Sequence, residues 1–478
     1  MFHTTTELMT HQARAVAKLS PSRVAALFMD MGTGKSLTAL RLAELKQANW
    51  NKLFWFCPCA LRQTVLEQII EHTDIPADMV TVWNQQGMRK RSRRDDALVH
   101  IIGIETMSSS TNAVLRYNQL LTEDGFVIVD ESSYIKANRA KRTQRITAMS
   151  DRSRYRMIMT GTPLTDSIID LFAQMTFLSP KILGHNSWYS FANAHIEYET
   201  KPSRFNKSMR IRTGRVLRTF DKDVLAAQIE PYVFQVRREE CLDLPKQIYV
   251  DRTCELAEWQ RELYEQAKLD ALASRDWDAW NDTSILQLFT TLQKIVVGFA
   301  GQVVRADNPR IDLLLETIGE IADDEPLIIW TKYLEAADTI CQILGRHYGS
   351  DQVWKFTGRV GETQRNHNLE NWRRKGRFLI ATQAIGGHGL TLNEAAYSLF
   401  YADSFKYAER IQAEGRNHRI GQERPVVYTT LRCEDTIDNR IEHKLQLTDS
   451  VVSDFRRMVD SLVRQGDQDA IKKAIASL

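Results

Sequence analysis

Ala25-Ala26-Leu27-Phe28-Met29-Asp30-Met31-Gly32-Thr33-Gly34-Lys35-Ser36 runs from an apolar stretch into a loop holding two glycines, a lysine and a serine. The apolar stretch is short and bounded, as in a buried strand, and Leu37 to Ala48 carry apolar side chains at helical spacing. The loop therefore joins a strand to a helix, the context a phosphate-binding loop needs. Backbone N–H groups around Gly32, Thr33 and Gly34 and at the helix N-terminus can cradle phosphates. Lys35 can reach the β- and γ-phosphates, and the Ser36 hydroxyl can bind Mg²⁺. The strict G-x-x-x-x-G-K-[ST] pattern fails, because Met29 stands where its first glycine belongs. The plain alternative is a glycine-rich turn that binds nothing.

Working outward, Leu53-Phe54-Trp55-Phe56, Leu98-Val99-His100-Ile101-Ile102, Phe126-Val127-Ile128-Val129 and Arg156-Met157-Ile158-Met159 read as further buried strands. Leu61 to His72 carries the helical spacing between two of them. Alternating strands and helices imply a parallel sheet covered on both faces. The pattern returns after residue 320, in Leu327-Ile328-Ile329-Trp330, Val353-Trp354-Lys355-Phe356, Phe378-Leu379-Ile380-Ala381, Leu399-Phe400-Tyr401 and Val426-Val427-Tyr428. The expected fold class is α/β, with two parallel-sheet lobes joined by a helical linker and protrusions. The first lobe covers 1–240, with an inserted basic and helical segment at about 181–222. A helical linker or protrusion follows at 241–305, and the second lobe with C-terminal helices spans 306–478.

At 478 residues the chain is too long for one hydrophobic core. Its 43% hydrophobic and 26% charged residues suit a soluble globular protein, and no run of about 18 or more apolar residues exists to span a bilayer. The first residues lack a basic-then-apolar secretion signal. The six cysteines are scattered, and Cys57-Pro58-Cys59 has no partner pair at zinc-ligand spacing, so reduced thiols and a cytoplasmic protein are expected. Net charge is only +3, but basic residues cluster in four places. These are Arg89-Lys90-Arg91-Ser92-Arg93-Arg94; Lys136, Arg139, Lys141, Arg142 and Arg145; the segment from Lys201 to Arg218; and Arg373, Arg374, Lys375 and Arg377. A solvated face explains any one of them. Four together fit contacts to a nucleic-acid backbone.

Phe126-Val127-Ile128-Val129-Asp130-Glu131 is an apolar strand ending in two acids. Asp130 can hold Mg²⁺ through water, and Glu131 can orient and deprotonate an attacking water, although adjacent acids also serve as simple strand caps. Near the other end of the chain, Gln412-Ala413-Glu414-Gly415-Arg416-Asn417-His418-Arg419-Ile420-Gly421-Gln422 carries two arginines three positions apart. Guanidinium groups on a developing phosphoryl charge accelerate triphosphate hydrolysis by roughly 10³ to 10⁵. Gln12 lies a little over twenty residues before Lys35, where its amide can pair with an adenine edge or simply face solvent.

In their order and spacing these stretches resemble the motifs of superfamily 2 helicase-like ATPases, and within them the Swi/Snf-type double-stranded DNA translocases. Met29 to Ser36 is similar to motif I, Asp130-Glu131-Ser132-Ser133 to motif II, and Thr160-Gly161-Thr162-Pro163 to motif III. Ala381-Thr382 through Gly386-Gly387-His388-Gly389-Leu390-Thr391-Leu392-Asn393 resembles motif V, and the stretch from Gln412 to Gln422 resembles motif VI. Smaller echoes are Arg237-Arg238, Leu244-Pro245-Lys246, Gln260 with Tyr264, and Thr357-Gly358.

The resemblance implies RecA-like lobes holding ATP and Mg²⁺ between Lys35, Ser36, Asp130 and Glu131 of the first and Gln412, Arg416 and Arg419 of the second. It also implies that Gly389 contacts nucleotide or DNA backbone, and that double-stranded DNA is the partner. Ser133 stands where the family usually has histidine, and Ser404-Phe405-Lys406 where it usually has Trp-Asn-Pro. With little chain before Gln12 or after residue 445, a minimal monomeric motor of bacterial or viral origin is expected, with no membrane partner and targeting left to a protein partner. The rival readings are a strand-separating DNA or RNA helicase, an ATP-gated DNA-binding scaffold without processive movement, and a metabolic P-loop enzyme.

Overall fold

In the computed structural model, residues 1–83, 93–161, 168–202, 210–273, 282–386 and 390–446 are described. The chain divides into two units, Met1–Asp243 and Leu244–Leu478. Among the described residues, no helix is long and apolar enough to cross a membrane.

The strands of the first unit are β1 (Val24–Met29), β2 (Lys52–Cys57), β3 (Val80–Val82), β4 (Val99–Gly103), β5 (Gly125–Asp130), β6 (Tyr155–Thr160), β7 (Ile196–Pro202), β8 (Arg210–Thr219) and β9 (Val233–Val236). Seven form one sheet in the order β3-β4-β2-β5-β6-β1-β9, every neighbouring pair parallel. Side chains alternate between two cores. Ala25, Leu27 and Met29 of β1 join Phe126 and Ile128 of β5 on one face. Ala26 and Phe28 join Val127 and Val129 on the other. Burial on both faces is why these strands read as unbroken apolar runs.

In the second unit the strands are β10 (Gln247–Cys254), β11 (Phe299–Ala300), β12 (Val303–Val304), β13 (Leu327–Thr331), β14 (Val353–Phe356), β15 (Phe378–Thr382), β16 (Tyr397–Phe400) and β17 (Val426–Cys433). Six make a parallel sheet, β10-β17-β16-β13-β15-β14, again between two cores. The expected α/β class with two parallel-sheet lobes is what the chain adopts.

Two sequence expectations need correction. The segment 241–305 is more than a helical linker, because it supplies β10, an edge strand paired along its length with β17. Its charged, half-exposed sequence hid it, since an edge strand buries little. The helices Glu258–Ala273 and Asp282–Val297 follow. Their residues Tyr264, Ile285, Phe289 and Leu292 share a core with Phe405, Cys433, Ile437 and Ile441 of the same unit. Gln260 donates to the carbonyl of Ile295 at 2.8 Å, and the Tyr264 hydroxyl accepts from the N–H of Ile437 at 2.8 Å. The segment about 181–222, expected as a basic and helical insertion, holds among the described residues the short helix Trp188–His195 and the antiparallel pair β7 and β8. Its many charges masked an alternation of Ile196 and Tyr198 with acids and of Ile211 with arginines that suits a ribbon.

Candidate active site

Parallel strands that are neighbours in a sheet end at the same edge, and β5, β6 and β1 are neighbours in that order. Asp130 lies level with Met159, and Thr160 level with Phe28, so the phosphate loop, the acid pair and the Thr160-Gly161 turn leave the sheet side by side. A side chain added at Gly161 would meet Met31 at 3.4 Å, showing how closely that turn packs on the loop. The sequence alone placed these groups on separate strands. Strand order is what gathers them.

Within the loop, Gly32 and Gly34 have φ of 82° and 79°, a left-handed backbone that favours glycine. Gly34 leads into the helix Lys35–Leu45. A Cβ there would come within 2.0 Å of Nε2 of Gln12. Gln12 is 2% exposed and donates to the carbonyls of Thr33 at 3.2 Å and Gly34 at 3.4 Å, while its Oε1 accepts from the N–H of Met9 at 2.8 Å. Neighbouring His11 also donates to the carbonyl of Thr33, at 2.8 Å. Gln12 is thus a brace for the phosphate loop here, a role its place in the sequence did not reveal. Thr33 closes the loop through its hydroxyl, which donates to the carbonyl of Asp30 at 2.7 Å.

The Lys35 ammonium donates to the carbonyls of Met29 at 2.9 Å and Asp30 at 3.2 Å. These oxygens satisfy a charge that a phosphate satisfies better. Asp130 is buried, and burial together with the Glu131 carboxylate raises its pKa to about 7 against the pull of Lys35. Glu131 is buried as well and has φ 49°, a left-handed conformation that costs a non-glycine residue about 1–3 kcal/mol and collects at functional sites. Its Oε2 accepts from the Thr160 hydroxyl at 3.5 Å. Asp130 and Glu131 are buried carboxylates, and Ser36 is the second residue of the helix that follows the loop; carboxylate and hydroxyl oxygens are the donor types a hard cation such as Mg²⁺ takes.

In the second unit, the helix Tyr407–Glu414 carries Gln412 and ends just before Arg416. Arg416, 3% exposed, donates to the carbonyls of Gln412 at 3.1 Å and Leu390 at 3.3 Å. Arg419 donates to that same Leu390 carbonyl at 2.8 Å and to the Thr391 hydroxyl at 2.9 Å. The two guanidiniums therefore converge on one oxygen, next to Gly389, which with Gly387 and His388 lies outside the described residues. Thr162 and Pro163 also lie outside them.

What aims the arginines was not legible beforehand. His418 donates through Nε2 to the carbonyl of Pro245 at 2.8 Å. Gln422 donates to the carbonyls of Asn393 at 3.0 Å and Asn417 at 3.2 Å, and Asn393 donates to that of Ile420 at 2.7 Å. Gly421 has φ 92°, and a Cβ on it would stand 2.8 Å from the Asn393 amide. The stretch His418-Arg419-Ile420-Gly421-Gln422 thus clasps the 390–395 segment, and Arg419 takes part in the clasp through Leu390 and Thr391. On the helix Tyr407–Glu414, buried Arg410 pairs with Asp403 at 2.8 Å and, one turn along, with Glu414 at 2.6 Å, its guanidinium 3.4 Å from the centre of the Phe400 ring.

The SNF2-related domain family matches residues 11–298, more than half of the chain, and the helicase conserved C-terminal domain matches 309–421. The chain belongs to the SNF2-related family. Similar SNF2-related relatives include human "DNA annealing helicase and endonuclease ZRANB3", 23% identical over 461 residues that cover 92% of this chain and 40% of the relative. Another is an uncharacterized ATP-dependent helicase of Mycoplasma genitalium, 27% identical over 322 residues, 66% of this chain and 29% of the relative. The chain spans between a quarter and a half of the length of these curated relatives. Among solved structures, the Sulfolobus solfataricus SWI2/SNF2 ATPase core in complex with dsDNA aligns with a TM-score of 0.43 and 20% identity, covering 98% of this chain and 95% of that one.

The two departures from the family pattern have local consequences. Ser133 sits in the turn Ser132–Ile135, anchored by the Ser132 hydroxyl donating to Gln174 at 2.5 Å. The Ser404 N–H donates to Gln383 at 2.7 Å, and Phe405 is buried with the Lys332 ammonium 3.2 Å from its ring centre. Ser404 and Phe405 thus fill the space after Asp403 with packing of their own.

Proposed function

We propose that this SNF2-related chain is an ATP-driven translocase on double-stranded DNA. The observation that carries the ATP-driven part of the reading is the Lys35 ammonium held by loop carbonyls next to a buried acid pair at one sheet edge, and its DNA part rests on the SNF2-related family match. On binding ATP, Lys35 exchanges those carbonyls for the β- and γ-phosphates, and Gly32, Thr33 and Gly34 offer their N–H groups. Ser36 and Asp130 would hold Mg²⁺, which would supply charge neutralisation of the phosphates. Glu131 orients the attacking water and takes its proton. Arg416 and Arg419 of the second unit leave the Leu390 carbonyl for the phosphoryl charge, with Gln412 placed one turn earlier. Cycles of binding and hydrolysis then alternate the grip on a DNA backbone.

Steady-state ATPase rates with duplex DNA, single-stranded DNA and RNA in turn test this reading. Duplex DNA should give the largest stimulation, accompanied by displacement of a triplex-forming strand. Stimulation by RNA alone, or duplex stimulation without triplex displacement, overturns translocation on duplex DNA.

A further inference from the structure

The four basic clusters of the sequence have different fates. In the cluster after Glu131, Lys136 pairs with Asp170 at 3.0 Å. Arg142 donates to the carbonyl of Tyr134 and Arg145 to that of Met107, both at 2.7 Å. These three hold the fold. In the fourth cluster, Arg377 is buried and capped by Asp323 and the carbonyls of Ile321 and Ala322, while Arg373 pairs with Glu394. Of the run Arg89 to Arg94, residues 89–92 and the side chains of 93 and 94 lie outside the described residues, as do the side chains of Lys201, Arg204, Lys207 and Arg215.

Arg139 behaves otherwise. It is exposed, and its Nη2 donates to the hydroxyl of Tyr189, itself 63% exposed, at 3.0 Å. Tyr189 lies on the helix Trp188–His195, and four residues later on the same helix face Asn193 accepts from Nη2 of Arg212 in β8 at 2.6 Å. Arg212 is exposed and lies over the Tyr198 ring at 5.2 Å, with exposed Arg210 two residues before it on the same face of the ribbon. Two clusters some 70 residues apart in sequence thus meet on one turn of one helix, roughly 6 Å of axis. The platform is fixed from beneath. Phe191 and Ala192 are buried in the core, Ser187 caps the helix through the N–H of Ser190, and His195 is tied to Asp221 at 2.9 Å.

We propose that Arg139, Arg210 and Arg212, set on the Trp188–His195 helix and the β7–β8 ribbon, form a phosphate-gripping surface for the backbone of duplex DNA. This rests on the translocase reading and adds a contact made by the ribbon. A guanidinium has five donors, and with one fixed by Tyr189 or Asn193 the remainder keep a set direction toward a phosphate. Such contacts position a duplex without reading its sequence, as a translocating protein requires. Arg218, paired with Glu197 at 2.5 Å, is left out of the surface.

The test is fluorescence anisotropy of duplex DNA binding by the full chain across a salt series, comparing the unaltered protein with Arg139→Gln/Arg212→Gln. Each lost phosphate contact should reduce the log–log salt slope by about 0.9, so the double variant should be shallower by about 2. Its DNA-free ATPase rate should stay unchanged, because neither residue belongs to the nucleotide site. Lysine at both positions should recover most of the slope. Normal binding by the unaltered protein with the same slope in the glutamine variant overturns this surface alone. Failure of the unaltered protein to bind duplex DNA overturns both this surface and the translocase reading. A fall in DNA-free ATPase that parallels the loss of binding shows a folding defect and removes the assignment.

Discussion

In the first unit, Asp130 and Glu131 at the end of β5, Thr160 at the end of β6 and the loop after β1 that leads to Lys35 leave three adjacent strands, so the hydrogen-bonded sheet sets their places. In the second unit, Arg416 and Arg419 lie beyond a short helix, and a turn folded over the 390–395 segment positions them through carbonyl contacts. One unit offers a rigid cradle. The other holds two guanidiniums on one carbonyl. On the proposed function, the contrast teaches that a phosphate receptor demands a fixed backbone, whereas a group that answers charge developing during a reaction needs a holding site of modest strength.

The sharpest way to break this contrast is Arg419→Ala. Hydrolysis should fall by about 10³ to 10⁵ while nucleotide affinity changes little, as read by steady-state kinetics beside a fluorescent-nucleotide titration. An unaltered rate would leave the second unit's role to Arg416 or remove it. Next in size, Glu131→Gln should bind ATP normally yet turn over about 10² to 10⁴ times more slowly. Normal turnover in that variant excludes Glu131 as the base.

Stability offers a third probe, because Arg410 answers two buried carboxylates at once. Arg410→Met should cost about 3–5 kcal/mol in urea unfolding, since removing one partner strands the other charges in a poorly solvated site. The loss should appear in unfolding of the second unit while ATP binding at the first persists. A single unchanged transition would show that the ion-pair cluster does not brace the helix that leads to the arginines.

The smallest effect concerns pH. Burial and the adjacent Glu131 raise Asp130 to about 7, above the value of about 4 expected when unfolded. The nucleotide-free folded protein therefore holds this proton more tightly than the unfolded chain does, and stability contributed at low pH is lost as pH rises from about 4 through about 7. Asp130→Asn should accordingly raise the Tm by a few degrees at pH 8 and hardly at all near pH 4. Equal shifts at both values would mean that the carboxyl is not held in its acid form by its surroundings.

Much of this architecture was legible in the chain. Ala25 to Met29, Phe126 to Val129 and Leu327 to Trp330 announce buried strands, because a strand covered on both faces has no polar side to confuse its pattern. β10 and the β7–β8 ribbon escaped, because strands with an exposed face carry charges that read equally well as helix or loop. Gln12 was visible only as a candidate for adenine, and its packing against Gly34 needs two segments brought together by the fold. The same is true of Arg410, whose partners Asp403 and Glu414 are near in sequence but acquire meaning from burial.

The sequence by itself determined the strand-to-helix phosphate loop, the acid pair after β5 and the arginine pair after Gln412, since each depends on local backbone geometry and residue type. Tertiary structure decided that β5, β6 and β1 are neighbours, that Leu390 receives both arginines, and that Arg139 and Arg212 share one helical turn. Those outcomes depend on strand order and on which distant segments pack together, and side-chain spacing along a single chain does not encode them.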